Sequence, residues 1–213
     1  MNDATYRNVD HNLDFFSPRP NQDSELIEQL GFIPGLKEFL ILRQVHALEH
    51  ATVWMLSNFD RAVNCKDLLS LPVEDNEAIG GLSTDRGFYL YGEINPLELR
   101  RAVTLALTRL KQGEWNLAIH PRCGTNASVA TILTAGMAIT AHLLLPREPI
   151  EQLLGFGLAA GLANYLAPEI GISVQKYITT AIPFNLKLQN IVKTVDISGR
   201  SGYFVGLQWQ AFH

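Results

Sequence analysis

Cysteine is scarce in this chain, which holds only Cys65 and Cys123. Two cysteines among 213 residues form no disulfide framework and point to a reducing compartment. Charge is scarce as well. Charged residues make up 18% of the chain, below the usual quarter, and the deficit is concentrated between Gly124 and Gln175. A formal net charge of −4 leaves no basic footprint, so no nucleic-acid partner is expected. The opening stretch MNDATYRNVDHNLDFFSPRPNQDSE lacks the basic-then-apolar order of a secretory signal. Residues 1–33 therefore read as a polar cytosolic tail, poorly ordered. No internal repeat or low-complexity tract is visible.

Apolar residues are present in patterns that change along the chain. From Leu36 to Leu56 they fall on more than one face, which predicts a long helix over 34–57, buried all round or lying at a membrane interface. Pro34 suits its start. The stretch LPVEDNEAIGG reads as loop, with Gly80 and Gly81 as punctuation. GFYLYGEI then reads as a strand, Pro96 opens a helix that Gly113 ends, and WNLAIH reads as a second strand. Residues 87–120 thus predict a small strand–helix–strand unit.

Asn126 to Leu145 is a run of 20 residues without formal charge, apart from the titratable His142. That length crosses a bilayer core. PREP makes a tight turn, and the glycine-rich stretch Gln152–Pro168 follows as a second span. Gly157 and Gly161 form a small-xxx-small pair suited to close helix packing, self-association or a protein partner. The predicted membrane hairpin covers 126–168 and belongs to a membrane-associated core over 34–186. Arg109, Lys111 and Arg122 before it and Lys176 after it, against Arg147 in the turn, bias both flanks to the cytoplasmic side by a small margin. Residues 187–213 read as a C-terminal β-hairpin around Gly199–Gly202. The expected class is α+β, an integral membrane protein dominated by its helical hairpin.

Two short strings carry chemistry. In HALEH, an H-x-x-E-H pattern, His46 and His50 stand four residues apart, so on a helix both imidazoles share one face. Glu49 lies near that face and can ligate a metal, orient a histidine or take a proton from bound water. A carboxylate amid apolar neighbours needs a partner, and a metal ion would serve, as would a histidinium or Arg43. In HPRCGTN, Cys123 immediately precedes a helix start, where the dipole is expected to favour thiolate. His120 stands three residues before it, close enough for both to reach one ion. Imidazole with thiolate is a common zinc set, so His46, His50, His120 and Cys123 are the candidate ligands of a Zn²⁺ ion. If all four ligate, the site closes and is structural. If three do, a position stays open for catalysis. His142 lies inside the first span and is a functional candidate by that position.

HALEHA, HPRCGT and the later QKYITTAIP together resemble the YqhQ-like group of bacterial membrane proteins. They also resemble a smaller uncharacterised group found in cyanobacteria. The first resemblance implies a shared site of His46, Glu49, His50, His120 and Cys123, and a metal-dependent activity. The chain departs from that group at Ala51, where a basic residue is usual, and in having fewer spans. The reading that follows is a membrane-bound metal-binding protein, a zinc-dependent hydrolase with Glu49 as base. Its rival is a non-catalytic assembly or docking factor with a structural metal or polar cluster. A third reading makes Cys123 a nucleophile, with His50 or His120 as its base.

Overall fold

The computed structural model describes residues 19–57, 76–196 and 199–211. His11, Cys65 and His213 lie outside them. The described residues form an α+β fold of five α-helices and one four-stranded antiparallel sheet.

A helix, α1 (Gln22–Leu30), stands inside the stretch expected to be a disordered tail. Asp23 and Glu25 occupy its first turn, where negative charge complements the helix dipole. Polar contacts account for its docking. The Gln44 side chain donates to Asp23 at 2.5 Å, and Asn185 donates to Ser24 at 2.8 Å. Gln44 and Asn185 are themselves buried and hydrogen-bonded to each other.

The long helix α2 (Leu36–Ser57) begins after Gly35, whose φ of 82° suits a residue without Cβ. From Gln44 onward it is buried on nearly every side, as its all-round apolar pattern required. Helix α3 (Pro96–Lys111) packs against it through Leu99, Ala102, Val103, Ala106 and Leu110, one stripe at helical spacing. Asn95 caps α3 by accepting from the Leu97 amide, and Gly113 ends it at positive φ.

Strands β1 (Gly80–Thr84), β2 (Gly87–Tyr91), β3 (Leu186–Val195) and β4 (Ser201–Trp209) lie in the order β1-β2-β4-β3. Phe88 pairs with Val205 and Leu90 with Tyr203, facing the helices and closing the core. The C-terminal hairpin is present, but it is not a separate unit: β2 joins it in one sheet. Gly80 and Gly81 belong to an edge strand rather than a loop.

The expected strand WNLAIH is also corrected. Trp115–Ala118 is a 3₁₀ turn. The Ala118 and Ile119 carbonyls bond side chains of α2, His50 at 2.7 Å and Trp54 at 2.9 Å, instead of a neighbouring strand.

Helices α4 (Gly124–Leu144) and α5 (Pro149–Val174) pack on each other as a hairpin, and a π-helical turn (Gln175–Thr179) continues α5. Both are long and apolar enough to cross a membrane. The second is longer than expected, running through Pro168. Its buried residues are Gly155, Ala159, Ala163, Ala167 and Gly171, every fourth position. Gly157 and Gly161 lie on the outer face, with open space where a Cβ would stand, so they do not hold the hairpin together. Large apolar side chains cover that outer surface, with Leu143 and Leu158 each 76% exposed.

Candidate metal centre

Helix α2 presents His46, Glu49 and His50 on one face, with the two imidazole centroids 4.3 Å apart. Each ring is oriented by a backbone carbonyl. His46 Nδ1 lies 3.0 Å from the Thr179 oxygen, and His50 Nδ1 lies 2.7 Å from the Ala118 oxygen. A carbonyl only accepts, so both rings carry hydrogen on Nδ1, and Nε2 is the ring nitrogen left to face the cluster. Burial, together with neighbouring His46 and His120, lowers the His50 pKa to about 3 against the opposing Ala118 hydrogen bond. His50 is therefore a neutral imidazole at physiological pH, the form that binds metal.

Cys123 arrives from another part of the chain. It is the extended N-cap residue of α4, and its sulfur accepts from the Thr125 amide at 3.4 Å. That sulfur lies 3.2 Å from His46 Nε2. The ligand atoms of His46, His50 and Cys123 all fall within 4.8 Å of one another. Tetrahedral zinc with bonds of about 2.0–2.3 Å separates its ligand atoms by roughly 3.3–3.8 Å, so small side-chain shifts bring the three to one ion.

The cysteine's protonation differs from expectation. Burial raises the Cys123 thiol above its ordinary value, the Thr125 hydrogen bonds oppose this, and the charge of Glu49 adds to it. Thiol chemistry that needs an exposed, acidic Cys123 finds no support here.

Glu49 is buried against Gly81, whose missing side chain leaves room for the carboxylate. Burial raises its pKa, while the Ser83 hydroxyl, which donates to it, and His46 pull the other way. His120 lines the same cavity but stands outside the converging trio. Its ring lies 5.6 Å from His50 and 4.6 Å from Trp54, and its Nδ1 accepts from the Arg122 amide at 3.3 Å.

The segment after α5 closes the site. Buried Gln175 accepts from the His120 amide at 2.9 Å and donates to Asn126 at 2.7 Å. Arg43 donates to the Tyr177 and Thr180 carbonyls at 3.3 and 3.1 Å. HALEHA, HPRCGT and QKYITTAIP therefore meet at one place. The third string carried no assigned role in the sequence, and nothing there marked Gly81 or Ser83. A cavity of about 350 Å³ opens onto His46, Glu49, His50 and Cys123. His142 sits at the far end of α4, exposed and 3.0 Å from the Gln152 side-chain oxygen, where it ties the hairpin tip.

Residues 41–191 match the domain of unknown function DUF6391. The chain belongs to the DUF6391 family. The matched span runs from within α2 into β3 and contains all three strings. An uncharacterized protein of the cyanobacterium Picosynechococcus sp. is 49% identical over 197 residues, covering 92% of this chain and 94% of that protein. The expected tie to an uncharacterised cyanobacterial group is thereby established, while the YqhQ-like resemblance rests on the three strings alone. No solved structure matches the chain.

Proposed function

We propose that this DUF6391 protein is an integral membrane metalloenzyme in which His46, His50 and Cys123 hold Zn²⁺ and Glu49 serves as the base. The observation that carries the reading is the convergence of three ligand atoms within 4.8 Å beside a buried carboxylate. Two imidazoles and one sulfur suit zinc. Three protein ligands leave a fourth position, and the cavity gives it access. The protonation of the site agrees: burial disfavours both the Glu49 and the Cys123 anion, and a divalent cation among them reverses that preference. The YqhQ-like resemblance adds to this reading, because its strings supply the residues that meet.

Zinc held by His46, His50 and Cys123 would supply a bound water of pKa about 7 and polarise a carbonyl. Glu49 would hold the proton of the attacking water and return it to the leaving oxygen or nitrogen, so the reaction class is hydrolysis. Ser83 holds Glu49 in place, and the Thr179 and Ala118 carbonyls hold the two rings.

The hairpin α4–α5 spans the bilayer in this reading. Its outer surface is apolar and its inner surface is small, which suits lipid outside and close packing inside. The basic residues flanking it favour a cytoplasmic base, so the metal centre sits at that surface. The docking reading is favoured by a separate observation, the open space around Gly157 and Gly161 on the outer face.

Metal analysis of the purified protein is the direct test. One zinc per chain is expected, with H50A and C123A both losing it. E49Q should keep the metal and lose hydrolysis. Metal-free native protein would overturn the reading. Metal retained by E49Q, with a stoichiometric partner and no hydrolysis in the parent, would favour docking.

A further inference from the structure

We infer that the site takes its substrate from the bilayer, and that this substrate is an amphiphile with a hydrolysable head and an alkyl or acyl chain. This rests on the metal-site reading above and names its substrate class. The observation is that exposed apolar side chains stand both at the rim of the metal-cluster cavity and at the base of the apolar hairpin.

The rim begins on α2. Phe39, Leu42, His46, Glu49, His50 and Val53 follow one another at spacings of three or four residues, or one apart, so they form a single stripe along the helix. The buried end of that stripe is the cluster, and the other end is apolar and in solvent. Leu42 is 36% exposed and also lines the cavity, which puts it at the rim. Leu82 of β1 lines the cavity too and is 56% exposed, forming a second apolar rim element. Gly124 and Thr125, the first turn of α4, complete the wall.

The second group stands at the base of the hairpin. The Arg43 guanidinium lies 5.9 Å from the Phe39 ring centre and donates to the Tyr177 carbonyl. Phe39 is 44% exposed, Tyr177 55% and Ile178 53%. These side chains belong to α2 and to the turn that continues α5, whose outer face is exposed apolar surface. In water, so many exposed apolar side chains are unfavourable; against lipid they are the expected composition.

A soluble polar substrate would gain nothing from leucines at the rim. A chain tethered in the bilayer gains contact with Leu42 and Leu82 as its head reaches the metal. The cavity, at about 350 Å³, is near the lower limit for ligand sites and suits a head group with its first methylenes. Arg122 lines the cavity, and its guanidinium donates to the Asn76 carbonyl at 3.1 Å.

The test uses the full chain in lipid nanodiscs, loaded with Co²⁺ in place of zinc, and reads the visible spectrum of the cobalt. The probes are acetohydroxamate and octanohydroxamate, which share a metal-binding head and differ in chain length. Each buried methylene strengthens binding about fourfold, so four in contact give about 200-fold. Octanohydroxamate should therefore bind about 100-fold more tightly or better. Part of that preference comes from partition into the nanodisc, which is the same for any variant. The L42N/L82N double variant isolates the rim: both positions are exposed, so folding and cobalt uptake should persist. Its octanohydroxamate affinity should fall at least tenfold with acetohydroxamate unchanged. An unchanged chain-length preference in the variant, or equal weakening of both probes, would overturn the amphiphile inference while leaving the metal site standing. Failure of the parent protein to bind cobalt would instead remove the metal site and the inference together.

Discussion

Glu49 has one hydroxyl partner, Ser83, and lies against a glycine that leaves it space. The carboxylate is held by a strand while the imidazoles are held by carbonyls, so the proposed base and the proposed ligands can be separated by mutation. Ser83→Ala should keep zinc at one per chain and lower hydrolysis about 10- to 100-fold, the usual effect of losing an orienting partner. Metal content and rate on the same preparation check it. Gln175 acts differently, because it satisfies the His120 amide and the Asn126 side chain in a buried setting. Gln175→Ala leaves the His120 amide unpaired, at a cost of about 1–3 kcal/mol, and removes one of the hydrogen bonds of half-buried Asn126, whose amide still donates to the Pro121 carbonyl. It also loosens the turn whose Thr179 carbonyl orients His46. A lower thermal midpoint in detergent and a drop of about tenfold or more in zinc affinity should appear together.

His46, His50 and Cys123 were legible in the chain because each pairs a metal-binding atom with a local rule, helical spacing or a helix start. Ser83 and Gly81 were not, since their relation to Glu49 exists only once an edge strand crosses α2. Thr179 acts through its backbone, and no side chain advertises that.

At the scale of elements, the two faces of α5 differ in kind. Ala163 is fully buried within the every-fourth-residue inner row, whereas Gly157 opens to the outside. A larger side chain at the first has no room. Ala163→Leu should force α4 and α5 apart, costing about 1–3 kcal/mol by overpacking and lowering the thermal midpoint. Gly157→Leu should leave the folded monomer unaffected, and a change in oligomeric state upon that substitution would mark the outer face as a contact surface. Size-exclusion profiles and melting curves of the two variants distinguish these effects. The sequence pattern identified the long helix, α3 and the hairpin, because each carries enough turns for a period to show. It misassigned Trp115–His120 and Gly80–Gly81, where short segments are decided by tertiary hydrogen bonds. It also favoured Gly157 and Gly161 over the inner row, in which alanine does most of the packing and glycine only ends the series.

At the scale of the whole molecule, one contact set constrains topology. His46 touches both the residue that starts α4 and the turn that continues α5: Cys123 at 3.2 Å and the Thr179 carbonyl at 3.0 Å. Both ends of the hairpin are thus fastened to the same helix turn. If the hairpin crosses a bilayer, α2, α3 and the sheet must all lie on one side, with only the tip at Pro146–Glu148 on the other. In the proposed orientation that larger side is cytoplasmic, on a small excess of basic residues over Arg147 at the tip. Single-cysteine labelling reads this directly. In a Cys65→Ser background, where buried Cys123 reacts slowly, Arg147→Cys reports the tip and exposed Glu98→Cys reports α3. A membrane-impermeant maleimide should label Arg147→Cys from outside intact cells and Glu98→Cys only after permeabilisation. Labelling of both from the same side would show that α4 and α5 do not span. The pair would then be an apolar hairpin covered by something other than lipid, and a substrate drawn from the bilayer would lose its route to the metal.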